Sequence, residues 1–393
     1  MTGFGWGWVR LGLLAALTSS LIACGGGAGI SLDAPSSVVE PSGPGQVLAV
    51  TPLAGFTAAQ IAQALAGAKA PPLVPRYGVA NYRIEYLSTD VDGKEIRVSG
   101  LVSLPLKPAD ARSPVLSYQH ATIFSDAEAP SRAIAPDQPP IVMASLGYLT
   151  VAADYIGYGT SRGTPHPYLL SKPSADAVID LLTAARTLRL RHQIVSNGQL
   201  FMVGYSEGGY VTMAAHRALQ AGSTPHRAEL RLTVPGAGPY NLTETLDVLL
   251  RRVKDENFLL GALIDPGFLR FLGNDIRDEV RRLLIKQLIP DDADVAFDTR
   301  FIDAYLADDR NRIEQQSNVH DWLPALPIPL FHGRQDQTVP FSASTTTVTA
   351  MLARGAAGVA LTECTHVPSG HKDCVPEYWQ FMLDRLAPLA RDL

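Results

Sequence analysis

From about residue 80 onward, apolar and polar positions alternate in a way that predicts a strand–helix repeat. Tyr82–Ser88 and Ile96–Leu104 carry strand patterns on either side of Asp90-Val91-Asp92-Gly93, which predicts a hairpin. Short apolar runs follow at Pro114–Tyr118, Leu149–Ala153, Leu200–Gly204, Leu230–Val234, Ile328–His332 and Val359–Glu363, and each is read as a strand. Helical patterns lie between or after them at Pro173–Arg191, Gly208–Ala221, Ala343–Ala353 and Pro376–Leu386. In the first of these helices Ala177, Leu181, Ala184 and Leu188 share one face. A hairpin followed by repeated strand–helix units predicts an α/β fold with a mostly parallel central sheet covered by helices on both faces.

One block breaks the repeat. Residues 241–322 hold no good strand pattern, but Leu246, Leu249, Leu250 and Val253 have helical spacing, as do Val280, Leu283, Leu284 and Leu288. The block predicts a helical cap inserted between two strands, folded over the sheet edge where it would cover a substrate. The core is then residues 51–240 and 323–393. Residues 24–50, rich in Gly, Ser, Pro and Ala, are read as a flexible tether.

The first 23 residues change the picture of where the protein works. Arg10 is their only charge, and Leu11–Ile22 is apolar but too short to span a bilayer comfortably. The run ends in Leu21-Ile22-Ala23-Cys24 and three glycines, which resembles a bacterial lipobox cut before a lipidated Cys24. That resemblance implies export, a lipid anchor on the cell envelope and, with Gly25 rather than Asp next, the outer membrane. The alternative is an ordinary secretion signal with an incidental cysteine. Export leaves Cys364 and Cys374 in an oxidising compartment, and the even count predicts a disulfide between them. Composition adds little more. Charged residues are 18% of 393 and the net charge is −5, with no basic run, so no nucleic-acid partner is expected.

The strongest chemical signal is Gly204-Tyr205-Ser206-Glu207-Gly208-Gly209, which follows an apolar strand and opens a helix. That setting forces a sharp turn and exposes the serine at the top of the sheet, so Ser206 is read as a nucleophile. Serine needs a base oriented by a third group. Asp336 stands in the loop after Ile328–His332, at the same sheet edge, and is read as that third group ahead of its rivals Asp303 and Asp321. His366 and His371 both follow the last strand. His371 is preferred as the base because Gly370-His371 stands just before the final helix, inside the loop that the two cysteines would close. The backbone N–H of Glu207 and that of Ala121, with Thr122 as its rival, are the expected oxyanion donors. His120, Thr122, Tyr155, Tyr158 and Tyr205 are expected around a substrate pocket. For Tyr155 and Tyr158, in the Asp154–Ser161 turn, merely shaping the rim is an equal alternative. His192, His216 and His226 are read as solvated or capping.

Taken in order, Gln119-His120, Asp154-x-x-Gly157-x-Gly159, Gly204-x-Ser206-x-Gly208-Gly209, His332-Gly333-x-x-Asp336-x-x-Val339-Pro340 and Gly370-His371 resemble the α/β-hydrolase superfamily. The resemblance spans roughly residues 80–390. More narrowly it is to the secretory lipase and esterase group with a helical cap. One departure is Ala121, where that group usually has glycine. The resemblance implies a serine hydrolase that cleaves a small-molecule or lipid ester through an acyl-enzyme, with no metal or organic cofactor. Three alternatives stand beside it. One is a peptidase or amidase on short substrates, disfavoured by the lack of a propeller repeat. Another is a binding lipoprotein without catalysis, which would not need the Ser–Asp–His set. The last is a lid-gated lipase whose Phe258-Leu259-Leu260 and Phe268–Leu272 face lipid.

Overall fold

A computed structural model describes residues 41–67, 73–256 and 269–393 of this protein. The expected signal segment, Cys24, and cap residues 257–268 lie outside the described residues. Nine strands run in chain order: β1 (Val47–Pro52), β2 (Val79–Thr89), β3 (Glu95–Pro105), β4 (Ser113–Gln119), β5 (Leu149–Ala153), β6 (Ser196–Tyr205), β7 (Leu230–Gly236), β8 (Ile328–His332) and β9 (Val359–Glu363). Among the described residues they form one sheet in the order β1-β2-β3-β5-β4-β6-β7-β8-β9. The contacts β1·β2, β2·β3 and β3·β5 are antiparallel, and every pairing from β5·β4 through β8·β9 is parallel.

β1 is a correction to the expected tether. The strand begins at Val47, and Gly45 already donates its N–H to Leu87 at 2.8 Å, so residues 45–50 belong to the folded body. α1 (Ala58–Ala66) follows, capped by a reciprocal Thr57–Gln60 box, and α2 (Pro139–Ser145) starts on two prolines.

The sheet's two faces are set by alternation. Val115, Leu149, Val151 and Leu200 face Leu182 and Ala185 of α3 (Ser171–Arg191) across a small interior void. Leu116, Phe201 and Val203 face the other way, into a core with Tyr378, Phe381 and Met382 of the C-terminal helix Val375–Leu386. Each β5 residue is buried, as a parallel strand covered on both sides requires. α4 (Glu207–Ala221) leaves the end of β6 and packs beside α3.

Between β7 and β8 the described chain is helical: α5 (His226–Glu229) precedes β7, then come α6 (Leu242–Glu256), α7 (Asn274–Leu288), α8 (Arg300–Leu306) and α9 (Arg310–Gln316). Leu246, Leu249, Leu250 and Val253 form the buried side of α6. After β8 come α10 (Ser342–Ala353), β9 and α11 (Val375–Leu386).

Candidate active site

Ser206 sits between β6 and α4 with φ 60° and ψ −127°, a backbone conformation that a side-chain-bearing residue adopts only when its surroundings impose it. Its N–H donates to Gly236 of β7 at 2.9 Å, and its carbonyl accepts from Tyr210 in α4 at 3.1 Å. Gly208 shows why small residues are needed here. A Cβ on it would lie 2.1 Å from the Gln119 carbonyl oxygen and 2.8 Å from that of His120. The elbow helix therefore abuts the end of β4. Tyr378 of α11 holds the approach strand from behind. Its hydroxyl accepts from the Gly204 N–H at 3.0 Å and faces the Val234 carbonyl at 2.8 Å.

Three loops at the same edge of the sheet bring the polar groups together. His371 Nε2 lies 2.8 Å from Ser206 Oγ, and His371 Nδ1 lies 2.5 Å from Asp336 Oδ2. A carboxylate can only accept, so Nδ1 carries the proton and Nε2 is free to accept from the serine. The Asp336 side chain is fully buried, whereas that of His371 is 11% exposed. Asp336 Oδ1 accepts from the N–H groups of Thr338 and Val339, which folds its loop around it. Burial pushes the Asp336 carboxyl up, but hydrogen bonds from His332 and His371 outweigh it and hold the group well below the usual carboxylate range.

His371 is braced on several sides. Cys364 and Cys374 form a disulfide with Cα atoms 5.9 Å apart, closing the loop that carries His371. Tyr205 donates its hydroxyl to the His371 carbonyl at 2.7 Å. Ser369 donates its N–H to the Gln335 side chain at 2.9 Å, which ties the His371 loop to the Asp336 loop. His366 is exposed, and its ring faces the Pro368 carbonyl. Asp303 and Asp321 are engaged by Arg281 and Arg354 instead.

Of the expected oxyanion donors, Glu207 directly follows Ser206 and Ala121 lies in the loop after β4. Glu207 opens α4, where the first N–H groups of a helix have no intrahelical acceptor. Ala121 follows the β4 end that touches Gly208, and its φ is not positive, so alanine is accommodated without glycine. The pocket expectations need revision. Tyr155 and Tyr158 are 2% and 0% exposed, and their hydroxyls donate to the carbonyls of His120 and Ile123. They brace the loop after β4 rather than line an open pocket. Tyr205 is likewise committed to the His371 carbonyl. His120 stacks on Tyr155 with ring centres 4.0 Å apart and reaches, with Tyr118 and Ala121, a cavity of about 220 Å³ behind that loop. Thr122 is half-buried, its hydroxyl 3.4 Å from that of Tyr168.

Sequence reasoning missed two histidines. His332 is buried, its Nε2 3.1 Å from Asp336 Oδ2 and its Nδ1 2.7 Å from the Ser344 hydroxyl. His166 is buried 2.7 Å from the Glu207 carboxylate. Only the strand-ending position of His332, four residues before Asp336, hinted at either role. The solvated-or-capping expectation holds for His192, which caps α3, and fails for His216 and His226, both buried.

No protein-family model matches the chain, and no curated protein matches it. Solved structures do match. A candidate hydrolase from Legionella pneumophila is 24% identical, with a TM-score of 0.67 over 87% of this chain and 97% of its own. The ligand-bound rice cell wall degrading esterase LipA from Xanthomonas oryzae is 23% identical, with a TM-score of 0.67 over 89% of this chain and 100% of its own. Candida antarctica lipase A in its closed state is 17% identical, with a TM-score of 0.56 over 90% of this chain and 85% of its own. The strand order, the helices on both sheet faces and these likenesses together give the chain an α/β-hydrolase fold.

Proposed function

We propose that this protein is a serine hydrolase that cleaves carboxylic esters. The observation that carries the reading is the unbroken relay from Ser206 Oγ to His371 at 2.8 Å and from His371 to buried Asp336 at 2.5 Å. His371 takes the Ser206 proton as the oxygen attacks the ester carbonyl, and Asp336 holds the imidazole tautomer and stabilises its charge. The N–H groups of Glu207 and Ala121 receive the oxyanion. The alcohol leaves with the proton from His371, and water releases the acyl group by the same route. The names of the matched structures, an esterase and a lipase among them, support an ester bond over an amide.

The test is hydrolysis of p-nitrophenyl esters from acetate to palmitate by wild type and Ser206→Ala. Turnover by wild type that falls at least 1,000-fold in the folded variant is expected for a nucleophile of this kind. The chain-length profile then separates esterase from lipase. Wild type inert on every ester, or a Ser206→Ala variant of undiminished activity, refutes the reading. The proposal extends to location: the Cys24 lipobox anchors the protein to the envelope of a bacterium, on the outer membrane, where it meets its ester substrate.

A further inference from the structure

The Asp154–Ser161 loop leads into His166, a buried histidine that the ester mechanism does not use. Gly157 makes room for it: at φ +100°, a Cβ there would lie 2.9 Å from the His166 backbone. The His166 ring is held at both nitrogens. Nδ1 donates to the Ile156 carbonyl at 2.8 Å, and Nε2 lies 2.7 Å from Glu207 Oε1. The second oxygen, Glu207 Oε2, is buried without a hydrogen-bond partner. His166 is therefore the polar group that fixes the Glu207 side chain, one residue beyond the nucleophile.

The backbone of His166 points the other way, into the insertion between β7 and β8. Its N–H donates to the Ala296 carbonyl at 2.7 Å, and its carbonyl accepts from the Asp298 N–H at 2.8 Å. Phe297, between them, sets its ring against His166 and Tyr168. Asp294, at the start of the same strap, accepts from the Asp126 N–H at 2.8 Å and donates its own N–H to the Phe124 carbonyl at 2.9 Å. Residues 294–298 thus clasp the loop that follows Ala121 at one end and the partner of Glu207 at the other.

We infer that His166 is a positioning residue, and that the His166–Glu207 pair couples the seating of strap 294–298 to the placement of the Glu207 N–H. This rests on the reading of Ser206 as an ester-cleaving nucleophile. An oxyanion donor acts on the transition state more than on bound substrate, so the coupling should be read in kcat rather than KM.

The experiment compares Glu207→Ala, Glu207→Gln and Phe297→Ala with wild type. Each is assayed for kcat and KM on p-nitrophenyl acetate and for amide exchange across 294–298. Glu207→Ala is expected to lower kcat at least tenfold with KM within about threefold, and to speed exchange of the strap at least tenfold. Glu207→Gln keeps a hydrogen bond to His166 and should restore both. If Glu207→Ala does not fold, Phe297→Ala probes the same coupling from the strap side, with the same kcat-weighted loss expected. In Glu207→Ala or Phe297→Ala, a loss carried by KM, a kcat within threefold of wild type, or unaltered strap exchange overturns the inference, as does a Glu207→Gln variant no better than Glu207→Ala. Should wild type hydrolyse no ester, the Ser206 reading falls. The exchange comparison then still decides whether the pair holds the strap.

Discussion

Asp336 carries four hydrogen bonds, two from imidazoles and two from main-chain N–H groups. Asp336→Asn keeps the shape but reverses the demand on His371 Nδ1, so kcat should fall by about 10³ to 10⁴. His332→Phe leaves His371 its acceptor and should cost about tenfold in kcat, with a lower Tm from the lost buried bonds. Steady-state kinetics beside thermal melts separate the two; equal kcat losses would make His332 as essential to turnover as Asp336. Two other buried groups set the pH dependence of stability with opposite signs. Asp180 is pushed up to about 7 by burial, against the hydrogen bond from Ser88, so it contributes stability below its ordinary 3.8 that is lost as pH rises through 7. His216 is pushed down to about 4 by burial, so it contributes stability above its ordinary 6.5 that is lost as pH falls through 4. The spans correspond to roughly 4 and 3 kcal/mol. Asp180→Asn should therefore gain stability over wild type as pH rises from 4 to 8, and His216→Phe as pH falls from 7 to 4. Urea melts at three pH values check both, and differences that do not change with pH would refute the assignment. That Ser206, Asp336 and His371 come together was legible because each stands in the segment that follows an apolar strand. His166 and His216 were not, because what buries them, Glu207 and Trp322, is brought in by the fold and leaves no local spacing.

At the scale of elements, legibility followed apolar runs with clear borders. Leu149–Ala153, Ile328–His332 and Val359–Glu363 match their strands end for end, since each is a short apolar run with polar or turn residues at its borders. β1 escaped notice because it directly follows a Gly- and Ser-rich stretch. α2 escaped because Pro139-Pro140 reads as a breaker, although proline is well suited to the first turn of a helix. The loop between β9 and α11 was read as a braced catalytic loop, and the brace has a measurable consequence. Cys364 and Cys374 are ten positions apart, and closing a loop of that length in the unfolded chain is worth about 3 kcal/mol in the chain-entropy description. A Cys364→Ser/Cys374→Ser variant should unfold at a Tm lower by roughly 3–5 °C. It should also lose kcat more than affinity, because the loop carries His371, the base of the proposed reaction. An unchanged Tm would mean that Tyr205, Gln335 and Glu377 hold the loop without the covalent link.

Across the whole molecule, the residues of the proposed reaction come from the carboxyl ends of β4, β6, β8 and β9, with the insertion between β7 and β8 joined to the same edge through His166. This is where a parallel sheet presents its loops, and it accounts for how Gln119, Ser206, Asp336 and His371 meet across more than 250 residues of sequence. The opposite concern is the antiparallel flank. β1 covers β2 from Val47, opposite Tyr86, to Pro52, opposite Tyr82, and Pro52 fits an outer strand because it has no N–H to pair. Without β1, β2 would become the edge, with Tyr82, Ile84 and Tyr86 of the core beneath it. A chain beginning at Pro41 should therefore keep its Tm and its ester turnover. A chain beginning at Leu53 should lose roughly 5–10 °C and self-associate through the bared β2 edge, because unpaired N–H and C=O groups along a flat strand invite a second chain. Thermal melts with light scattering over a concentration series compare the two. If the Leu53 chain melts like the Pro41 chain and stays monomeric, the folded body begins at the hairpin, and β1 is an accessory of the sheet rather than its closing strand.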